Sequence, residues 1–218
     1  MRRFSVSTLQ KSIPDEPTPR VHIRLEYPVF EPLDASKHEK KLTDTLNRFY
    51  QTTAARALAH AEKYSRHASP PSAPFDYICR YVVSFAGDDY ISVYADGRVT
   101  HEKGTHTFRH PHLWSVEKGT LLPPGQVLNT DKQARKKLYS RLLKEIEKNI
   151  RRKIFTYFDN YPARLQKHLD LSSFYFLPGG GAFCFKSGSL GVSDDQIPVF
   201  VLPPEELSDL VRVVPREW

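Results

Sequence analysis

The chain has 218 residues, 39% hydrophobic and 12% aromatic, with a formal net charge of +7. That length allows one large domain or two small ones with an ample core. No apolar run approaches the roughly 20 residues needed to span a bilayer, two cysteines make no disulfide framework, and the positive balance favours acidic partners without deciding the fold.

Residues 1–19 carry Pro14, Pro17 and Pro19 among polar residues and read as a flexible arm. Met1-Arg2-Arg3 has the charge of a signal n-region, but Phe4 to Lys11 is too polar for an h-region. The expectation is therefore a cytoplasmic chain. Arg20 to Tyr27 alternates, with Val21, Ile23, Leu25 and Tyr27 on one side and His22, Arg24 and Glu26 on the other. This is a half-buried strand, which Pro28 and Pro32 are expected to end. Asp34 or Ser36 then caps a helix to about Arg66, with Leu42, Leu46, Phe49, Tyr50, Ala54, Ala57, Ala61 and Tyr64 on one apolar face. Ser69 to Pro74 is a connecting loop.

From Phe75 to about Val116 the period becomes two, as in an antiparallel meander. Tyr77, Cys79, Tyr81, Val83 and Phe85 share a face, Gly87-Asp88-Asp89 turns, and Tyr90 to Ala95 forms a second strand. Asp96-Gly97 is expected to turn again, before short strands at Val99 to His101, Thr105 to Arg109 and Leu113 to Val116. Glu117 to Thr120 is a further turn. Cys79 and Cys184 both fall in predicted strands and read as buried reduced thiols.

Thr130 or Asp131 caps a second long helix, expected to run to about Phe158 on a stripe of Leu138, Leu142, Ile146, Ile150 and Ile154. Two aromatic runs then flank Pro178-Gly179-Gly180-Gly181, a hairpin signal, and Val199 to Leu202 is a third strand, stopped by Pro203-Pro204. These three strands are expected to join the sheet of residues 77–95. Alternation is expected to divide Phe174, Phe176, Phe183, Phe185 and Phe200 between two faces, with at least one pair against the second helix. Residues 20–218 thus read as a single α+β domain: an antiparallel sheet of short strands with two long amphipathic helices packed on it.

The order of several weak motifs resembles the C-terminal domain of the RsiV-like anti-sigma-factor ectodomains, a domain of unknown function also found ahead of peptidoglycan deacetylase domains. Phe174-Tyr-Phe-Leu177, Gly181-Ala-Phe-Cys-Phe185 and Ile197 to Leu207 match its terminal hairpin and its "ip..eL" ending. Lys103-Gly-Thr-His106 and Leu113 to Leu122 match its middle, and Tyr27-Pro-Val-Phe30 followed by a helix holding Leu46-Asn47 matches its front. The resemblance covers roughly residues 20–210. It implies an extracytoplasmic sensing or binding role at the bacterial cell envelope.

Catalytic signals are weak. His101, His106, His110 and His112 lie close together with Glu102, and imidazoles at strand spacing can converge on zinc. No HExxH or paired CxxC accompanies them, so they read as exposed strand and loop positions; a metal-dependent hydrolase is the alternative. Pro178 to Gly181 opens a strand rather than a helix, unlike a phosphate loop. Gly188-Ser189-Leu190-Gly191 is one residue short of a nucleophile elbow. Asp88-Asp89 and Asp194-Asp195 read as solvated turn residues.

Two binding surfaces stand out. Tyr90, Tyr94, His106 and Trp114 are candidates to line a groove for a protein, peptide or glycan ligand. From Asp131 to Lys153 there are ten Lys or Arg against three Asp or Glu, a balance of +7. Lys137, Arg141, Lys144, Lys148, Arg151 and Arg152 are expected to form a ridge opposite the apolar stripe. Such a ridge takes an acidic protein face, an anionic wall polymer or nucleic acid in a salt-dependent way, without interleaved aromatics for base stacking. The reading is a non-enzymatic binding or sensing module, with no catalytic residue, metal or cofactor assigned.

Overall fold

A computed structural model describes residues 2–13, 20–68, 74–191, 193 and 195–218. Pro14, Pro17, Pro19, the loop of residues 69–73 and Asp194 lie outside them. The architecture is mixed α+β, with an antiparallel-rich sheet and helices. The chain gathers into two compact units, one of Met1–Val83 with Tyr94–His106 and one of Ser84–Val93 with Thr107–Trp218.

The first unit begins with β1 (Phe4–Ile13), which pairs antiparallel with β2 (Val21–Phe30) in a register from Phe4 opposite Phe30 to Ile13 opposite Val21. The expected arm is thus a strand over these residues. Its own sequence is too polar to announce it; the partner strand supplies the pairing and the apolar face. β2 also runs through Pro28. Its pairing with β3 (Phe75–Ala86) stops at Glu26, so at Pro28 a partner lies on one side only and the missing N–H is tolerated.

The β2–β3 pair is parallel, unlike the all-antiparallel expectation. α1 (Lys37–Ala68) is the crossover that parallel pairing requires. Ser36 Oγ accepts the Glu39 N–H at 3.1 Å and caps it. α1 packs on β1 and β2, burying Leu42, Leu46, Tyr50, Ala54 and Ala61 against Ile23 and Leu25. Asn47 extends from it to the end of β2, its amide accepting the Phe30 N–H at 2.7 Å and donating to the Phe30 carbonyl at 3.0 Å. Arg2 and Glu39 form a buried bidentate pair at 2.6 and 2.7 Å, tying the chain start to the first turn of α1.

The large sheet has the strand order β1-β2-β3-β4-β5-β6, with β4 (Tyr90–His101), β5 (Gly104–Ser115) and β6 (Thr120–Leu121). β4 runs straight through Asp96-Gly97, the expected turn, since Gly97 is not among the positive-φ glycines. The chain turns instead at Glu102-Lys103. β5 likewise passes through Pro111. β6 pairs only with Trp114 and Ser115, so no β6 carbonyl awaits a proline N–H.

In the second unit, α2 (Pro124–Val127) leads to α3 (Lys132–Arg151), α4 (Tyr161–His168) and a separate three-stranded sheet, β7 (Phe174–Leu177), β8 (Gly180–Cys184) and β9 (Val199–Leu202). The terminal strands therefore do not extend the larger sheet. α5 (Pro204–Leu207) follows. The hairpin corner is Pro178-Gly179, with Gly179 at φ 71°, where glycine is favoured.

The register corrects the division of the five phenylalanines. Phe174 lies opposite Phe183, and Phe183 opposite Phe200. The two-residue corner pairs even positions of one strand with odd positions of the next, so all five rings share one side. They are buried in one apolar cluster with Leu138, Leu142 and Ile146 of α3. The reverse side carries Tyr175 and Cys184. The Tyr175 hydroxyl accepts from Arg109 Nη1 at 2.9 Å, and the Cys184 thiol donates to the Ser173 carbonyl at 3.3 Å. Both cysteines are buried and free, and burial pushes the Cys79 thiol up to about 12.

Candidate functional site

Asp131 begins α3 by accepting the Ala134 N–H at 2.7 Å. Its apolar stripe buries Ala134, Leu138, Leu142 and Ile146. Ile150 and Ile154, expected to continue it, are 41% and 63% exposed. A step of four residues advances about 400°, so each step drifts about 40° around the helix. Four steps from Ala134, at Ile150, the stripe has turned away from the core, and Ile154 lies beyond the helix end. The helix itself stops at Arg151 rather than near Phe158.

The same drift divides the basic ridge. Early in the helix, the ridge flanks the buried stripe rather than opposing it. Lys137 reaches Asp209 at 2.8 Å and Arg141 reaches it at 2.6 Å, with a further bond from Arg141 to the Glu206 carbonyl. These bonds hold the Asp209 carboxyl well below the usual carboxylate range. Lys148 pairs with Glu145. Lys144, Arg151, Arg152 and Lys153 are exposed, and among the described residues no carboxylate lies within ion-pair distance of them. What remains of the ridge is a cationic patch on the C-terminal half of α3.

Beyond that patch the chain folds back. Lys153 takes φ 54°, the only described non-glycine residue in the left-handed region, where a side chain costs about 1–2 kcal/mol. Tyr157 makes a bridge with Gly191, and Phe158 N–H donates to the Leu190 carbonyl at 3.1 Å. A Cβ on Gly191 would sit 2.0 Å from the Phe155 ring, so only glycine permits this approach. Arg164 holds the turn from the other side. Its guanidinium stands 4.0 Å over the Phe158 ring and donates to the Ser189 and Gly188 carbonyls at 2.7 and 3.0 Å.

The result is a cleft of about 650 Å³, lined by Ile150, Phe155, Tyr157, Phe158 and Tyr161, with Lys153, Thr156 and Asp159 as its polar groups. Phe155 and Tyr157 lie 4.8 Å apart at 55°, and Tyr157 and Tyr161 lie 6.2 Å apart at 57°. The Tyr157 hydroxyl accepts from Asn149 at 3.1 Å, and burial pushes its pKa up. Sequence reading passed over this cleft by extending the helix to Phe158. The available signal was four aromatics within residues 155–161, directly after a basic helix end.

The four residues of the other expected groove are divided between the two units. Trp114 is 3% exposed and belongs to the buried interior. Tyr90 packs on Phe176 at 5.6 Å. Tyr94 and His106 belong to the other unit, where the His106 ring lies 5.6 Å from that of His101. His112 is pushed down to about 4 by burial and by His110. Among the described residues, no three His, Cys, Asp or Glu side chains gather as metal ligands, because β5 is one extended strand and spreads its histidines along its length.

No protein-family model matches the chain, and neither does any curated protein. Solved structures do. A DUF3298 family protein of Pseudomonas aeruginosa PAO1 superposes with a TM-score of 0.63 at 10% identity, covering 97% of this chain and 94% of that one. A DUF3298 member from Bacteroides fragilis NCTC 9343 superposes with a TM-score of 0.64 at 11% identity, over 97% and 94% of the two chains. The likeness is one of fold, shared with a domain family of unknown function.

Proposed function

We propose that the protein is a non-enzymatic binding module that takes up an acidic partner at the C-terminal end of α3. The observation that carries this reading is the patch of Lys144, Arg151, Arg152 and Lys153, with no carboxylate within ion-pair distance among the described residues while Lys137, Arg141 and Lys148 are paired. Cations at a helix C-terminus are favourable in themselves, which explains their presence. It does not explain why they stand beside an aromatic cleft. The RsiV-like resemblance supports a binding or sensing role of the same kind, and the DUF3298 neighbours support the fold on which it would rest.

The test is binding to labelled poly-glutamate over a salt series. The parent chain is expected to bind at low salt and weaken as salt screens the charges. The variant Lys144→Glu, Arg151→Glu, Arg152→Glu should not bind, with its circular dichroism unchanged. Equal binding by parent and variant would refute the reading.

A further inference from the structure

We infer that the aromatic cleft seats one bulky apolar side chain of a short acidic peptide segment, whose carboxylates meet the surrounding cations. This rests on the acidic-partner reading above and adds what enters the cleft. Its volume of about 650 Å³ falls in the range of clefts that enclose a small ligand, roughly 300–1,000 Å³. Its walls are mainly apolar, and Ile150 stands exposed at it because the helical stripe has drifted out of the core.

The ring geometry decides between occupants. A nucleobase wants an open, parallel aromatic face. Here the rings are tilted against one another at 55° and 57°, so they present no shared flat platform. A nucleic-acid strand also wants a long track of cations, but Lys137, Arg141 and Lys148 are already paired. From Lys144 to Arg151 the helix rises only about 10 Å, the length of about three extended residues. Asp159 within the cleft repels a carboxylate there, so acidic groups belong at the rim and the apolar group inside. Anchors of this kind, a buried aromatic ringed by polar contacts, carry most of the affinity in small interfaces. Lys153 lines the cleft in a backbone conformation that glycine would adopt without strain.

The experiment uses the full chain and two fluorescein-labelled peptides, Asp-Glu-Asp-Trp-Asp-Glu and its counterpart with Gly in place of Trp, followed by anisotropy. The Trp peptide is expected to bind about tenfold more tightly than the Gly peptide. Thr156→Trp, which fills the cleft from an exposed position, should erase that difference while both peptides keep the weak, salt-dependent binding. Lys153→Glu should weaken both. Equal affinity of the two peptides for the parent chain would overturn the cleft proposal and leave the cationic patch standing. Failure of both to bind would overturn both readings. Oligothymidylate displacing the Trp peptide at equal affinity would assign the site to nucleic acid and end the peptide proposal.

Discussion

The two long helices are built on the same amphipathic plan and end differently. Along α1 the buried positions advance by fours from Leu42 to Ala54, then by seven to Ala61. A step of seven turns back by about 20° instead of adding to the drift. The buried face of α1 therefore stays over β1 and β2 through at least five turns. In α3 every step from Ala134 to Ile150 is four, the drift keeps accumulating, and Ile150 emerges into solvent, with Ile154 exposed beyond the helix end. One helix is wholly committed to its core. The other leaves an apolar and cationic end exposed, and that end is the candidate site. The helices also differ in anchorage, since α1 is tied by a buried ion pair and α3 by exposed ones.

The largest effect is expected from breaking the buried anchor. Arg2→Ala strands the Glu39 carboxylate and should cost about 3–5 kcal/mol in urea unfolding. Hydrogen bonds from Arg2 hold the Glu39 carboxyl below its ordinary value, against the opposing push of burial. A carboxyl lowered on folding stabilises above its unfolded value of about 4.3 and loses that contribution as pH falls through its folded value. Part of the loss of stability below about pH 4 should accordingly disappear in Arg2→Met, Glu39→Leu, read as a flatter acid limb.

Next come the stripes. Leu46→Ala in α1 and Leu142→Ala in α3 should each cost about 2–5 kcal/mol, whereas Ile154→Ala should stay within about 0.5 kcal/mol. A cost at Ile154 matching that at Leu142 would show that the stripe never leaves the core. Smaller still is Lys153→Gly, expected to stabilise by about 0.5–1 kcal/mol by relieving the left-handed backbone while weakening acidic-peptide binding. A destabilised variant would contradict the strain. The smallest effect belongs to Asp209→Asn. Its pairs with Lys137 and Arg141 are exposed, so about 0–1 kcal/mol is expected, fading with salt. The same variant frees two cations and should raise affinity for poly-glutamate at low salt, and unchanged affinity would confine the binding surface to the distal patch.

Local pattern alone determined much of this protein. The apolar periodicity marked α1 and the start of α3, the Asp131 cap is visible as a residue type, and Pro178-Gly179 specified the hairpin corner. These features depend on neighbours three or four residues away, which a sequence displays. Tertiary structure decided the rest. β1 is a strand because β2 offers it a partner, although its own residues resemble a polar arm. The terminal hairpin closes its own three-stranded sheet, since pairing between distant segments has no local signature. The five phenylalanines share a face because register, not alternation within one strand, sets which positions coincide. The site itself was half legible: its cations were visible as a basic run, but which of them stay unpaired depends on Asp209, dozens of residues away in the chain. The aromatic cleft exists only because Lys153 ends the helix and Gly191 lets the Phe155 ring approach its backbone.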